Sequence, residues 1–201
     1  MVTFTDNRHY YVVIQLMMSM KKIILSLFAL ILSVSLFGQS TKNYKIRSYF
    51  SFDIPVTMEL RDTPGVGGQQ YCFWPGASST KYARILVQIG ENPGIRQSDL
   101  VNLSPSDRQE IKSLFLDEIR RSGMSPSQIK IHENDVKKVG GKYAIVKKYT
   151  RPGLNGDVYV EAYDYFVGSV HIQVTLSYRT SESYYWKADF DKVISSIIWM
   201  I

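Results

Sequence analysis

The chain has 201 residues, 45% hydrophobic and 21% charged, which places it among globular proteins and excludes wholesale disorder. Lys and Arg number 24 against 18 Asp and Glu, a net charge of +6, too mild an excess to argue for nucleic acid. A single cysteine, Cys72, excludes an intramolecular disulfide framework and a zinc cage of several thiolates, while 14 Tyr form the one compositional excess.

Residues 1–39 read as an address. Met20-Lys21-Lys22, the apolar run 23–37 and Gly38-Gln39-Ser40 have the layout of a secretory signal peptide: a basic start, an apolar stretch, a polar exit. The run is shorter than the ~20 residues of a spanning helix. An uncleaved anchor over 11–37 would hold Lys21 and Lys22 mid-membrane, which is costly. Cleavage after Gly38 and cleavage after Ser40 both stay open. With no cysteine after the run there is no lipoprotein anchor, so the expected membrane contact is only through the uncleaved signal. Residues 1–19 look like neither a domain nor a second targeting element. The expectation is a mis-assigned start or an unstructured extension, with translation beginning at Met20, Met17 or Met18. Removing residues 1–39 takes away Arg8, Lys21, Lys22 and Asp6 and leaves a net charge of +4.

Residues 40–201 then form one domain, with no repeat, low-complexity stretch or linker. A first strand is expected over 45–54, where Phe50, Phe52 and Ile54 alternate with Ser51 and Asp53. A short strand over 57–61, a Gly-rich loop over 62–68 and an aromatic strand over 70–74 follow. In the strand 82–89, Ala83, Ile85, Val87 and Ile89 share one face. A loop over 90–103 leads to a helix, capped by Ser104 with Pro105 and Asp107 and ended by Gly123. Its apolar stripe is Ile111, Leu114, Phe115 and Ile119. The second half reads as a meander: strands at 128–133, 135–139 and 142–149, the middle pair of ends joined by Gly140-Gly141, a two-residue hairpin signal.

The strand 157–166 has two registers against 169–178. A two-residue turn at Val167-Gly168 pairs Phe166 with Ser169 and puts Tyr159, Glu161, Tyr163 and Tyr165 on the face of Ile172 and Val174. A three-residue turn through Ser169 puts Val160, Ala162, Asp164 and Phe166 there instead. The second is preferred, since it sends Glu161 and the tyrosines outward. A final helix over 183–199 carries Phe190, Val193, Ile194, Ile197 and Ile198 as its docking stripe. The fold class is α+β: a single antiparallel sheet of six to eight strands with two main helices packed on it.

Four pieces of sequence occur in a familiar order. They are Phe52-Asp53-Ile54-Pro55, the strand 83–89, Val139-Gly140-Gly141-Lys142-Tyr143-Ala144, and Phe190-Asp191-Lys192-Val193-Ile194-Ser195-Ser196-Ile197. This order resembles the PsbP-like family, α/β/α sandwiches found in thylakoid-lumen photosystem subunits and small exported bacterial proteins. The resemblance covers about residues 44–199 and implies non-catalytic binding or assembly roles. It carries over no functional residue. The loop Gly65-Val66-Gly67-Gly68 and the aromatic stretch 71–74 match no part of the family pattern.

Chemistry is sparse. His171 sits on the presumed outer face of a strand with no ligand at i±2, and His132 lies at a polar strand end, so no metal site and no cofactor is expected. Nothing pairs Cys72 with either histidine as a nucleophilic dyad. Asp157, Glu161 and Asp164 do not converge as paired carboxylates, Asp164 facing away from the other two. Gly65–Gly68 lacks the features of a phosphate loop. Two candidate binding surfaces are left. Lys138, Lys142 and Lys148 share a parity on the basic hairpin, and Lys137, Lys147 and Arg151 share the other, a pattern for edge protection or for docking an acidic partner or anionic envelope lipid. Tyr159, Tyr163 and Tyr165 share one strand face and Tyr143 and Tyr149 share a face of its neighbour, a core or a platform for sugar or peptide.

The leading expectation is an exported, non-enzymatic α+β protein that binds an envelope protein partner or helps assemble an envelope complex. The alternative is a glycan or small-ligand module using the tyrosine face, and a hydrolase comes third. Nucleic acid is not an expected partner.

Overall fold

A computed structural model describes residues 40–61 and 69–201. The start, signal and cleavage after Gly38, like the glycine-rich loop 62–68, lie outside the described residues. Among the described residues, ten strands and three α-helices alternate with short turns. The strands are β1 (Thr41–Ile46), β2 (Phe50–Pro55), β3 (Met58–Arg61), β4 (Gln69–Pro75), β5 (Ala83–Glu91), β6 (Lys130–Val139), β7 (Lys142–Arg151), β8 (Val158–Val167), β9 (Val170–Arg179) and β10 (Ile198–Trp199). The helices are α1 (Gln97–Val101), α2 (Pro105–Arg121) and α3 (Ser183–Ser195). The main sheet has seven antiparallel strands in the order β3-β4-β5-β9-β8-β7-β6, and a smaller sheet has the order β1-β2-β10. The chain is thus α+β, as expected.

The layers follow from the two faces of the central strands. On the inner face Ile85, Val87, Ile172, Val174 and Leu176 pack with Phe50, Phe52 and Ile54 of the small sheet and with Trp186, Phe190 and Val193 of α3. Burying a side chain of this size is worth about 1.5–3 kcal/mol, so this cluster is the main source of stability. On the outer face α2 lays Phe115 and Ile119 with Ile129 and Tyr149 in a second, smaller cluster. The α2 N-terminus is a reciprocal capping box: Asp107 N donates to Ser104 Oγ (3.2 Å) and Ser104 N to the Asp107 carboxylate (2.8 Å). Gly140 and Gly141, at φ +58° and +86°, make the tight β6–β7 turn that the dipeptide predicts.

Several expectations are corrected. The strand expected over 45–54 is a hairpin, β1–β2, reversing at Arg47 (φ +47°) with Tyr49 N donating to Ile46 O at 3.1 Å. Its three-residue loop sets Ile46 opposite Phe50, so the buried even-numbered positions run through the turn unbroken and read as one strand. The strands expected at 128–133 and 135–139 are the single β6, whose register shift between Ile131 and Glu133 breaks the alternation. The loop over 90–103 contains α1, held by the Gln97 side chain, which accepts from Tyr143 N (2.7 Å) and donates to Tyr143 O and Phe166 O (3.0 Å each). The last helix stops at Ser195. There Ser196 Oγ accepts from Asp53 N (2.8 Å) and donates to Val193 O (2.9 Å), and the chain leaves to pair with β2. Ile198 is consequently 64% exposed rather than docked.

The preferred β8 register is also overturned. The turn is two residues, Gly168-Ser169, with Val167 opposite Val170, Tyr165 opposite Ile172 and Tyr163 opposite Val174. Tyr159, Glu161, Tyr163 and Tyr165 therefore face inward, and Val160, Ala162, Asp164 and Phe166 face α2.

Candidate functional site

The register decides where the expected site residues go. Tyr165 is fully buried and Tyr163 nearly so, within the inner core. Burial pushes both hydroxyls well above the ordinary tyrosine value, with Glu161 adding to the effect at Tyr163. The Tyr163 hydroxyl donates to Glu161, and Lys148 Nζ approaches the same carboxylate at 3.2 Å. Tyr159 is half-buried between His132 and Tyr178, ring centres 5.6 and 5.4 Å away. Tyr143 and Tyr149 lie on the opposite face of the sheet, Tyr143 beside α1 and Tyr149 against Phe115 of α2 (5.3 Å). The five tyrosines form no common platform.

The lysines also divide differently from their numerical parity. The Gly140-Gly141 turn sets Val139 opposite Lys142, so Lys138 shares the outer face with Tyr143 while Lys142 and Lys148 share the inner one. Lys138 is exposed on the edge strand; Lys142 lies over the Trp199 ring at 5.5 Å. The other outer-face lysine of the hairpin, Lys147, is buried instead of solvated.

Lys147 marks the feature that the sequence reading missed. Between α2 and the outer face of β7, β8 and β9 runs a cleft with two lobes, about 420 Å³ and about 190 Å³. Phe115, Glu118, Lys147 and Gln173 belong to both lobes, and so make the neck between them. The larger lobe has apolar walls from Ile111, Leu114, Ile145 and Phe166. The smaller is polar, with Arg84, Gln88, Tyr149 and Thr175.

The floor of the cleft is a saturated charge cluster. The Asp164 side chain, 6% exposed, accepts from His171 Nε2 (2.9 Å), Gln173 Nε2 (2.8 Å) and Lys147 Nζ (3.0 Å). Lys147 Nζ also reaches the Glu118 carboxylate of α2 at 2.7 Å. Burial opposes the Asp164 charge, but the His171 hydrogen bond and the Lys147 ammonium hold its carboxyl below the usual carboxylate range. Burial likewise opposes the Lys147 charge, and Asp164 and Glu118 more than offset it, raising the ammonium above its ordinary value. An ionised carboxylate only accepts, so His171 Nε2 carries the proton. The ring stacks on Phe166 at 4.7 Å and 10°. His171 is therefore an engaged histidine, not the solvated one expected: its carboxylate comes from the neighbouring strand, not from i±2.

The cue was the dipeptide Gly168-Ser169. Read as a two-residue turn, it sets Asp164 opposite Gln173 and diagonal to His171. Lys147 and Glu118 carried no local cue, because α2 and β7 meet only in the folded chain. Chemically the arrangement offers an apolar wall beside fixed donors, suited to holding a group with one greasy and one polar side. Among the described residues no cluster of three or more His, Cys, Asp or Glu could hold a metal ion. Cys72 is buried at 2% exposure.

No family model matches the chain, and no curated protein matches its sequence. Solved structures do match. The cyanobacterial PsbP protein (CyanoP) of Synechocystis superposes with TM-score 0.57 at 18% identity, covering 80% of this chain and 92% of that one. The Ran-binding protein Mog1p of Saccharomyces cerevisiae gives TM-score 0.52 at 11% identity over 80% of this chain and 96% of its own. The fold is PsbP-like, as the order of sequence patterns implies.

Proposed function

We propose that the chain is an exported, non-enzymatic binding protein of the cell envelope, and that the cleft beneath α2 receives its protein partner. The observation that carries this reading is the mutual saturation of the cleft's central charges. Asp164 has three donors, Lys147 two carboxylates and His171 a carboxylate, which makes a fixed polar floor instead of a poised acid, base or nucleophile. The rim supports an inserted side chain: Leu114 stands 53% exposed at the mouth, an unfilled apolar lip of the kind that seats a partner's anchor residue. Export is supported by the apolar run 23–37 behind Lys21 and Lys22. No described helix is long and apolar enough to cross a membrane.

The glycan or small-ligand alternative moves to the same cleft, since the tyrosines are shared between two faces. Its volume, about 420 Å³ in the larger lobe, lies in the ordinary range for small-ligand sites. The test is crosslinking and affinity capture from the native envelope with the mature protein and with Leu114→Arg, which charges the lip without entering the core. A protein retained by the first and lost from the second is the expected result. Identical retention by both, or retention of nothing by either, refutes the partner reading.

A further inference from the structure

We propose that the smaller lobe of the cleft is an oxyanion site, taking a carboxylate, sulfate or phosphate group against the Arg84 guanidinium. Arg84 projects from the outer face of β5 into this lobe. Its Nε is buried and donates to nothing, and no carboxylate among the described residues pairs with it. The Trp74 ring centre lies 5.8 Å from the guanidinium carbon. Directly across the strand pair stands Ser177, 0% exposed, with its Oγ also unpartnered. Buried polar atoms are paired in more than about nine cases in ten. Two orphans facing each other in register therefore mark a missing acceptor.

The surroundings fit that acceptor. The hydroxyls of Tyr149 and Thr175 and the amides of Gln88 and Gln173 line the same lobe and can donate. Burial raises the Tyr149 hydroxyl above its ordinary value, with Glu118 adding to the rise and the Arg151, Lys147 and Arg84 charges opposing it. Glu118 is the one acid lining the lobe, and it shares the Lys147 ammonium, 2.7 Å away, with Asp164. A guanidinium with an idle Nε edge is the natural partner for two oxygens of one planar or tetrahedral anion. The lobe, about 190 Å³, suits a head group, and its neck opens on the apolar lobe of about 420 Å³. The matching ligand is an acid with an apolar body, and for the docking role proposed above this makes the partner's inserted segment acidic next to an apolar anchor.

The test titrates the mature protein with sodium phosphate, sodium sulfate and sodium acetate at constant ionic strength, observing the arginine Nε–H resonances by NMR. The expected result is a saturable shift of the Arg84 signal with at least one salt. Calorimetric affinity for that salt should fall about tenfold or more in Arg84→Gln and Arg84→Lys, since a hydrogen bond to a charge is lost. Ser177→Ala should raise the unfolding midpoint of the anion-free protein and weaken the anion, two opposite signs that a merely structural serine does not give. The strongest of the three salts identifies the group. No saturable shift with any salt means that water fills the gap and overturns the proposal; so does unchanged affinity in a folded Arg84→Lys protein. Leu114→Arg leaves this lobe intact, so anion binding without partner capture, or the reverse, separates this inference from the docking reading.

Discussion

Replacing Asp164 by Asn keeps the shape of the cleft floor and removes its charge. The carboxylate now meets three donors at 2.8–3.0 Å, and an amide can accept from at most two of them while turning its own NH₂ toward the third. Lys147, with its side chain 10% exposed, would keep only Glu118, which is 54% exposed. Removing one partner of a buried pair costs about 3–5 kcal/mol. The surviving Glu118 contact argues for the lower end, about 3 kcal/mol. For a domain of this size that lowers the melting midpoint by about 6–12 °C. Urea and thermal unfolding at pH 7 measure it directly. The carboxyl is held below its unfolded value, so its contribution is present above the unfolded value and is lost as pH falls through the folded one. The gap between the native protein and Asp164→Asn is therefore widest near neutrality and closes below about pH 4. A loss under about 1 kcal/mol at pH 7, or a gap that persists in acid, refutes the cluster's assigned role. The paired change Lys147→Met with Asp164→Leu should recover most of the loss, because the uncompensated charge is gone.

The two tyrosines in the core should respond with opposite signs. Tyr165→Phe deletes a buried hydroxyl without a hydrogen-bond partner and is expected to stabilise by about 1 kcal/mol, whereas Tyr163→Phe takes a donor from buried Glu161 and should destabilise by about 1–3 kcal/mol. Equal effects in urea unfolding would show that the hydroxyls are not distinguished as described. In the β6–β7 turn, a Cβ on Gly140 would meet Ile197 Cβ at 3.1 Å at φ +58°, while one on Gly141 meets open space at φ +86°. Both Ala variants carry the left-handed penalty of about 1–2 kcal/mol, so Gly140→Ala should be the worse of the two by a measurable margin in the same assay.

How far the sequence could be read depended on whether the informative contact was local. The α2 cap lies within four residues and the Gly140-Gly141 turn within two, and both were legible. The apolar alternation of β5 and β9 was legible too, because one face of each is packed against α3 and the small sheet. The β1–β2 hairpin was hidden by its own parity, Ile46 and Phe50 being opposite across three residues. The cleft was hidden for a different reason. Its charges come from α2, β7, β8 and β9, and each looks like an ordinary surface residue until packing removes the water. His171 has no ligand on its own strand, yet Asp164 reaches it from the next at 2.9 Å.

β8 shows why the unfavoured register wins. From Val160 to Val167 it is buried on both faces, so hydrophobicity alone cannot choose which side faces α2. The choice falls to its two acids, three residues apart and therefore on opposite faces. In the observed register Glu161 meets Lys148 and Tyr163 on the inner side, and Asp164 meets Lys147, His171 and Gln173 on the outer. A slip of one residue sends Asp164 into the apolar cluster of Ile172, Val174 and Leu176, far from those donors. It also turns Glu161 away from Lys148. Two buried carboxylates would lose their partners at once, at about 3–5 kcal/mol each. That exceeds the gain from turning tyrosines outward, which itself exposes apolar rings. The tyrosine excess that stands out in the composition is thus largely a core feature, and the polar residues that hold it in register are the ones that floor the cleft.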